Sequence, residues 1–182
     1  LSHPHDDHVG GAATVLQVLR PRAYWDAAYP GTSEAYRASL VTARDRGIPW
    51  HRVHPGDSIV IDGVAFTVLA PDSAWTASLR DPNEASTVLR IRFGERRFLL
   101  TGDAEASEEA WVVASGAELR ADVLKVAHHG SPTSTTPAFL EAVRPRVPLI
   151  SVGAGNRYGH PGPRVLADLA AAGALVVRTD RA

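Results

Sequence analysis

The sequence predicts a layered α/β fold in which helices cover sheets, with residues 1–182 forming one domain. Three observations predict it. A chain of 182 residues with 45% hydrophobic and 21% charged residues is long and apolar enough to bury one core. Two hairpin signals stand back to back in the middle of the chain. From about residue 105 onward, strand-like and helix-like segments alternate, the pattern of sheets flanked by helices.

Gly10-Gly11 lead into the apolar-periodic stretch Ala12 to Leu19, which reads as a helix ended by Pro21. Residues 22–25 form a short strand, followed by a turn at Pro30-Gly31. Thr32 or Ser33 caps a second helix that runs to about Arg46 and stops at Gly47. Asp57 to Ile61 and Val64 to Leu69 flank Asp62-Gly63, a dipeptide suited to the type I′ turn of a hairpin. Residues 71–84, with their Pro, Asp, Ser and Asn, form a loop. Ser86 to Phe93 and Arg96 to Thr101 make the second hairpin around Gly94-Glu95. A helix over residues 105–114 follows. Strands at 123–126, 148–152 and 174–178 then alternate with helices at 137–143 and 163–172. No repeat, linker or low-complexity tract interrupts this order.

Bulk chemistry narrows the function. No apolar run approaches the roughly 18 residues that a membrane-spanning helix needs. The net charge of −1 and pI of 6.8 provide no global field that would pull the chain onto nucleic acid. Cysteine is absent, which excludes disulfides, thiolate ligands and a cysteine nucleophile. Any metal is therefore held by imidazole and carboxylate, a donor set suited to zinc, manganese or iron. Of the 19 basic residues, all but Lys125 are arginine, which reflects either phosphate handling or a coding bias towards Ala, Arg, Gly and Pro. Methionine is absent and the chain opens inside a motif, so a piece of a longer chain or a processed product is expected.

That motif is His3-Pro4-His5-Asp6-Asp7-His8, three imidazoles and two carboxylates within six residues. In a tight loop, His3 and His5 reach one ion while Asp7 and His8 turn towards a second. Two ions about 3.5–4 Å apart clamp the attacking and leaving oxygens of a phosphate displacement. Leu99-Leu100-Thr101-Gly102-Asp103 places a carboxylate at a strand end, where it serves as a metal ligand, a helix N-cap, or both. Lys125-Val126-Ala127-His128-His129-Gly130-Ser131 ends another strand in paired histidines.

The first of these runs resembles the His-x-His-x-Asp-His pattern of the metallo-β-lactamase superfamily. That resemblance implies an αββα sandwich and two divalent metal ions, zinc or manganese. It implies His3 and His5 on one metal, Asp7 and His8 on the other, and Asp103 bridging them. Three further stretches are similar to ComEC-type DNA-internalisation competence proteins. They are the His128-His129-Gly130-Ser131 turn, the run Val152 to Pro161 through Asn156-Arg157-Tyr158-Gly159-His160, and Asn83-Glu84-Ala85-Ser86 before the second hairpin. This resemblance covers almost the whole chain. It implies a metal-dependent nuclease or phosphodiesterase degrading single-stranded DNA during uptake. It also implies attachment to the channel portion of a bacterial inner-membrane parent.

Further site expectations follow from residue positions and from the same resemblance. His128, directly after its strand, is the expected ligand, with His129 behind it or facing substrate. His160 is a ligand or a proton donor to the leaving oxygen, a role it shares with His128, and Asp7 orients the nucleophile. Asn83 or Ser86 fills the place where many members carry another histidine. His51 and His54 lie too early for that place and read as surface residues. Ser131 contacts phosphate or caps the next helix, and Arg157 and Lys125 contact phosphate. Two other readings stay open: a small-molecule ester or cyclic-nucleotide hydrolase of the same fold, and a catalytically silent DNA-guiding domain.

The resemblance also implies opening strands ahead of the histidine run, which this chain is expected to lack. Without them one sheet would lose core strands and expose an edge. Residues 1–182 alone are accordingly expected to melt broadly, and a sharp two-state thermal transition would refute that.

Overall fold

The computed structural model describes residues 1–30 and 33–181. Thr32 and Gly31, of the expected cap and turn, lie outside the described residues. The elements, in chain order, are α1 (Asp6–Val9), α2 (Ala12–Leu19), β1 (Tyr24–Asp26), α3 (Glu34–Asp45) and β2 (Trp50–Arg52). Then come β3 (Ser58–Ile61), β4 (Val64–Ala70), α4 (Ser73–Ser78), β5 (Val88–Phe93), β6 (Arg96–Leu100) and α5 (Ala106–Ala114). The chain ends with β7 (Val123–Lys125), α6 (Pro137–Val143), β8 (Val147–Ile150), α7 (Pro163–Ala171) and β9 (Val177–Arg178).

Local chemistry explains these boundaries. Ser33 caps α3 by accepting from the Tyr36 amide, and Thr136 caps α6 by accepting from Phe139. Asp62 and Gly63 both take positive φ, 48° and 79°, as the type I′ turn between β3 and β4 requires. The expected loop at 71–84 instead contains α4. Asp72 caps it through the Trp75 amide at 2.6 Å, a signal hidden among loop-forming residues. The short strand β2 and the turn α1 were also not anticipated. Three-residue strands carry too little periodicity to declare themselves.

Strands β3 to β9 form a seven-stranded sheet in sequence order, antiparallel from β3 to β6 and parallel from β6 to β9. Helices α5, α6 and α7 provide the three parallel crossovers. Their buried residues Val112, Leu140, Val143, Val165 and Leu169 pack with Leu99, Leu124 and Ile150 from the sheet. Alternation along the strands turns the next residues to the other face. There, Val68 and Leu89 meet Ala27, Val53 and Trp25 around the parallel pair β1–β2. Helices α2 and α3 cover that pair through Leu16, Ala43 and Leu40 against Tyr24. The layers thus run helix, small sheet, large sheet, helix, the αββα arrangement expected from the sequence.

Leu124 is wholly buried at the centre of the parallel half. Replacing it with alanine is expected to lower unfolding free energy by about 2–5 kcal/mol, read as a shifted denaturant midpoint.

Candidate metal centre

Parallel strands β6, β7 and β8 end at one rim, the side on which open α/β sheets bind ligands. Thr101-Gly102-Asp103 leave β6, residues 126–130 leave β7, and a loop over residues 151–162 leaves β8. Residues 1–8 lie across this rim. They are pinned by Leu1 N donating to Trp25 O and Thr87 N donating to Ser2 O, both at 2.9 Å. The helical turn α1 then separates its two carboxylates. Asp6 accepts a 2.6 Å hydrogen bond from Ser33 Oγ and points away, while Asp7 turns inward.

One ligand atom each from Asp7, His8, Asp103 and His129 lies within 4.8 Å of the others. His8 Nε2 and His129 Nε2 both sit 3.3 Å from Asp103 Oδ2. His129 Nε2 is 3.2 Å from Asp7 Oδ2 and 3.4 Å from His8 Nε2. His3 and His5 stand alongside, with His3 Nε2 3.2 Å from His5 Nδ1 and the His3 ring 4.2 Å from that of His8. Such a convergence of imidazole nitrogens and carboxylate oxygens fits divalent cations of the zinc and manganese type. Burial pushes the His3 imidazole down to about 3, with His8 and His5 adding to the effect, so it stays neutral and able to donate its lone pair.

Asp103 is the hub. Burial alone would push its carboxyl up. Hydrogen bonds from His129 and His8, together with the Lys125 ammonium, hold it far below the ordinary carboxylate range. Its amide donates to Ser86 Oγ at 2.9 Å, and Lys125 Nζ reaches its Oδ1 at 3.2 Å and Gly102 O at 2.6 Å. Oδ2 is left facing the histidines. Gly102, at φ 53°, has no room for a side chain, since a Cβ would stand 2.7 Å from Ser86 Oγ and 2.8 Å from Ser2 Cβ.

The paired histidines separate by backbone geometry. His128 and His129 both adopt left-handed φ, 46° and 54°, a conformation costing non-glycine residues of order 1–3 kcal/mol each. The two rings therefore take different positions, whereas the sequence expectation made His128 the ligand. His129 turns into the group with Asp7, His8 and Asp103, and Ser151 O holds its Nδ1 at 2.7 Å. His128 stands further out. Its Nε2 is 4.0 Å from Asp103 Oδ2, and its Nδ1 is 2.9 Å from Glu105 Oε1, an approach too oblique for a hydrogen bond. His160 follows, with its ring 5.7 Å from that of His128 and Nδ1 buried without a partner. Burial first, and then His128, lower its pKa.

Other expected residues are placed differently. Lys125 is engaged by Asp103 and Gly102, with its side chain largely buried. Ser86 is fully buried beneath the centre, its Oγ shared between the Asp103 amide and His3 Nδ1 at 3.4 Å. Asn83 is buried with Oδ1 unpaired. Ser131 Oγ bonds Thr133 Oγ1 at 2.8 Å within its own turn, and Thr136 rather than Ser131 caps α6. Arg157 is exposed and lies against Tyr158. His51 and His54 gather on Asp57 at the surface, away from this group, with His51 Nε2 3.0 Å from Asp57 Oδ2.

Sequence reasoning passed over Glu105, beside His128, and the buried pair Glu108 and Glu109. Glu108 accepts from the Ser86 amide at 3.2 Å and is pushed well up by burial. Glu109 accepts from the amides of Thr135 and Thr136 at 2.6 and 2.8 Å, bracing the turn beyond the histidines. Sequence offered no signal for this pair, because adjacent glutamates on a helix read as solvent-facing and only the structure shows both buried.

With this geometry established, the chain belongs to the metallo-beta-lactamase superfamily, whose family model matches residues 1–154. Its relatives include the ComE operon protein 3 of Bacillus subtilis, 34% identical over 187 residues, an alignment covering 100% of this chain and 23% of that protein. Competence protein ComA of Neisseria gonorrhoeae is 35% identical over 181 residues, covering 99% of this chain and 23% of that protein. The chain thus spans just under a quarter of the length of these curated relatives. The diiron beta-hydroxylase CmlA of Streptomyces venezuelae shares the fold at 17% identity and a TM-score of 0.59, covering 97% of this chain and 42% of that one.

Replacing His129 with alanine is expected to weaken zinc binding beyond the roughly 10–100-fold that loss of an outer-shell partner costs, and His128→Ala to stay within that range. Competitive chelator titration measures both. The opposite ranking would return His128 to the inner position.

Proposed function

We propose that this domain is a two-metal phosphodiesterase that degrades single-stranded DNA during natural-competence DNA uptake. The observation that carries this reading is the convergence of Asp7, His8 and His129 on the buried carboxylate of Asp103. The similarity to competence proteins supports the choice of DNA, and a membrane-borne parent accords with it. Among the described residues, no helix is long and apolar enough to cross a membrane, so the channel portion of such a parent would lie outside this chain.

Asp7, His8, Asp103 and His129, with His3 and His5 alongside, would hold two divalent ions of zinc or manganese. When bound, such ions neutralise phosphate charge and make water a stronger nucleophile. The protein's own groups do the remainder. Lys125 and the Ser86 hydroxyl fix Asp103 from behind, so its Oδ2 needs no reorientation. Asp7, with an exposed carboxylate 3.2 Å from His129, orients the attacking water. On the other side, His128 and His160 lie next to one another beyond Asp103; His128 would deliver a proton to the leaving oxygen, and His160, kept neutral by burial, would support it through a hydrogen bond.

Folded protein with manganese is expected to degrade single-stranded oligonucleotides, and Asp103→Ala to abolish turnover while the circular dichroism spectrum is retained. Undiminished turnover in the variant would sink the scheme. A metal-loaded wild type that leaves DNA intact would favour a small-molecule hydrolase or a DNA-guiding domain.

A further inference from the structure

The loop that follows β8 ends in an unusual surface feature. Tyr158 is 67% exposed, yet its ring is not loose. It stacks on the His160 ring at a centroid distance of 5.9 Å and an interplanar angle of 18°, an offset arrangement that leaves much of the ring open. Arg157 lies against the same ring, with its guanidinium carbon 5.3 Å from the centroid and Nη2 donating to the Tyr158 hydroxyl at 3.2 Å. His160 in turn contacts His128, which faces Asp103. A continuous line of planar groups therefore leads from the metal centre out to solvent.

The loop beneath is built to hold that line. Asn156 Nδ2 donates to His160 O at 2.7 Å and to Gly153 O at 3.2 Å. Its Oδ1 accepts from the amides of His160 at 3.0 Å and Tyr158 at 3.2 Å. Gly155 and Gly159 supply the positive φ that so tight a knot demands. Pro161 seats the loop on the histidine turn, where a Cβ on Gly130 would stand 2.6 Å from Pro161 Cβ, and Gly162 N donates to Gly130 O at 2.8 Å. Tyr158 and His160 are thus held in one loop, which is seated on the turn that carries His128.

We propose that Arg157 and Tyr158 form a nucleobase ledge, on which the base next to the scissile phosphate stacks while His160 and His128 face the leaving oxygen. The proposal rests on the phosphodiesterase reading and names what that site recognises beyond phosphate. Stacking suits this chain for two reasons. Every base has a π-face, so the ledge accepts any sequence, as a degradative enzyme requires. With a net charge of only −1, the chain has no global field to gather a strand, so local contacts must do so. A duplex keeps its bases stacked on one another, so the ledge selects single strands.

The test compares an ordinary single-stranded oligonucleotide with one of the same length carrying tetrahydrofuran abasic sites, in cleavage assays and in fluorescence-anisotropy binding. Wild-type protein is expected to act on the abasic strand about 5- to 150-fold less efficiently, mainly through KM, the range that loss of one stacked base produces. Tyr158→Ala should show the same loss on the ordinary strand and no further loss on the abasic one, while Tyr158→Phe and Tyr158→Trp restore the preference. Cleavage of both strands with equal efficiency would overturn the ledge and leave the nuclease standing. So would equal losses on both strands in Tyr158→Ala. Absence of cleavage, with a binding preference for the ordinary strand that Tyr158→Ala removes, would keep the ledge and overturn the nuclease. Neither cleavage nor preference would overturn both.

Discussion

A carboxylate placed at the buried end of a parallel strand cannot stand alone, because desolvation of an unpaired charge far outweighs what packing returns. Asp103 is in that position, and much of the rim is organised around satisfying it. Lys125 arrives from the neighbouring strand β7, Ser86 from the segment before β5, His8 from the motif laid across the rim, and His129 from the turn after β7. The sole lysine of the chain is thereby committed to a charge pair with Asp103. The same arrangement leaves one oxygen, Oδ2, directed at a cluster of imidazoles.

Holding that arrangement requires backbone conformations that ordinary residues avoid. Gly102 admits no Cβ between Ser86 and Ser2, and the two histidines after β7 both sit in left-handed conformation. Consecutive left-handed residues reverse the chain sharply, which sends His129 inwards and His128 outwards from adjacent positions. The conformational cost is met by the surrounding contacts. Glu109 fixes the following turn through two amides, and Pro161 closes against Gly130. Local strain supported by buried carboxylates in this way is a common signature of a site built for chemistry rather than for stability.

The fold was largely readable before the structure. Helix α2 and helix α6 fall on the predicted residues, and the Asp62-Gly63 hairpin follows from turn chemistry alone. These features depend on interactions within a few residues, which sequence spacing reports directly. Helix α4 escaped because Asp72, Ser73 and Ser78 favour loops as strongly as caps, and its identity was decided by Trp75 packing near Trp111 and donating to Glu84 O. The three-residue strand β2 exists because β1 offers it a parallel partner and Val53 anchors its end in the core. No local pattern announces either fact.

A similar division runs through the site. The sequence by itself determined the donor types, their order along the chain and the strand ends that carry them. It did so because ligand chemistry constrains residue identity and spacing within short motifs. The tertiary structure alone decided which histidine of the adjacent pair turns inward, that Lys125 serves Asp103, that Ser86 lies beneath the centre, and that Tyr158 stacks in line with His160 and His128. Each of these depends on the sign of a backbone angle or on contact between residues distant in sequence. Neither quantity is written in the identity of any one residue.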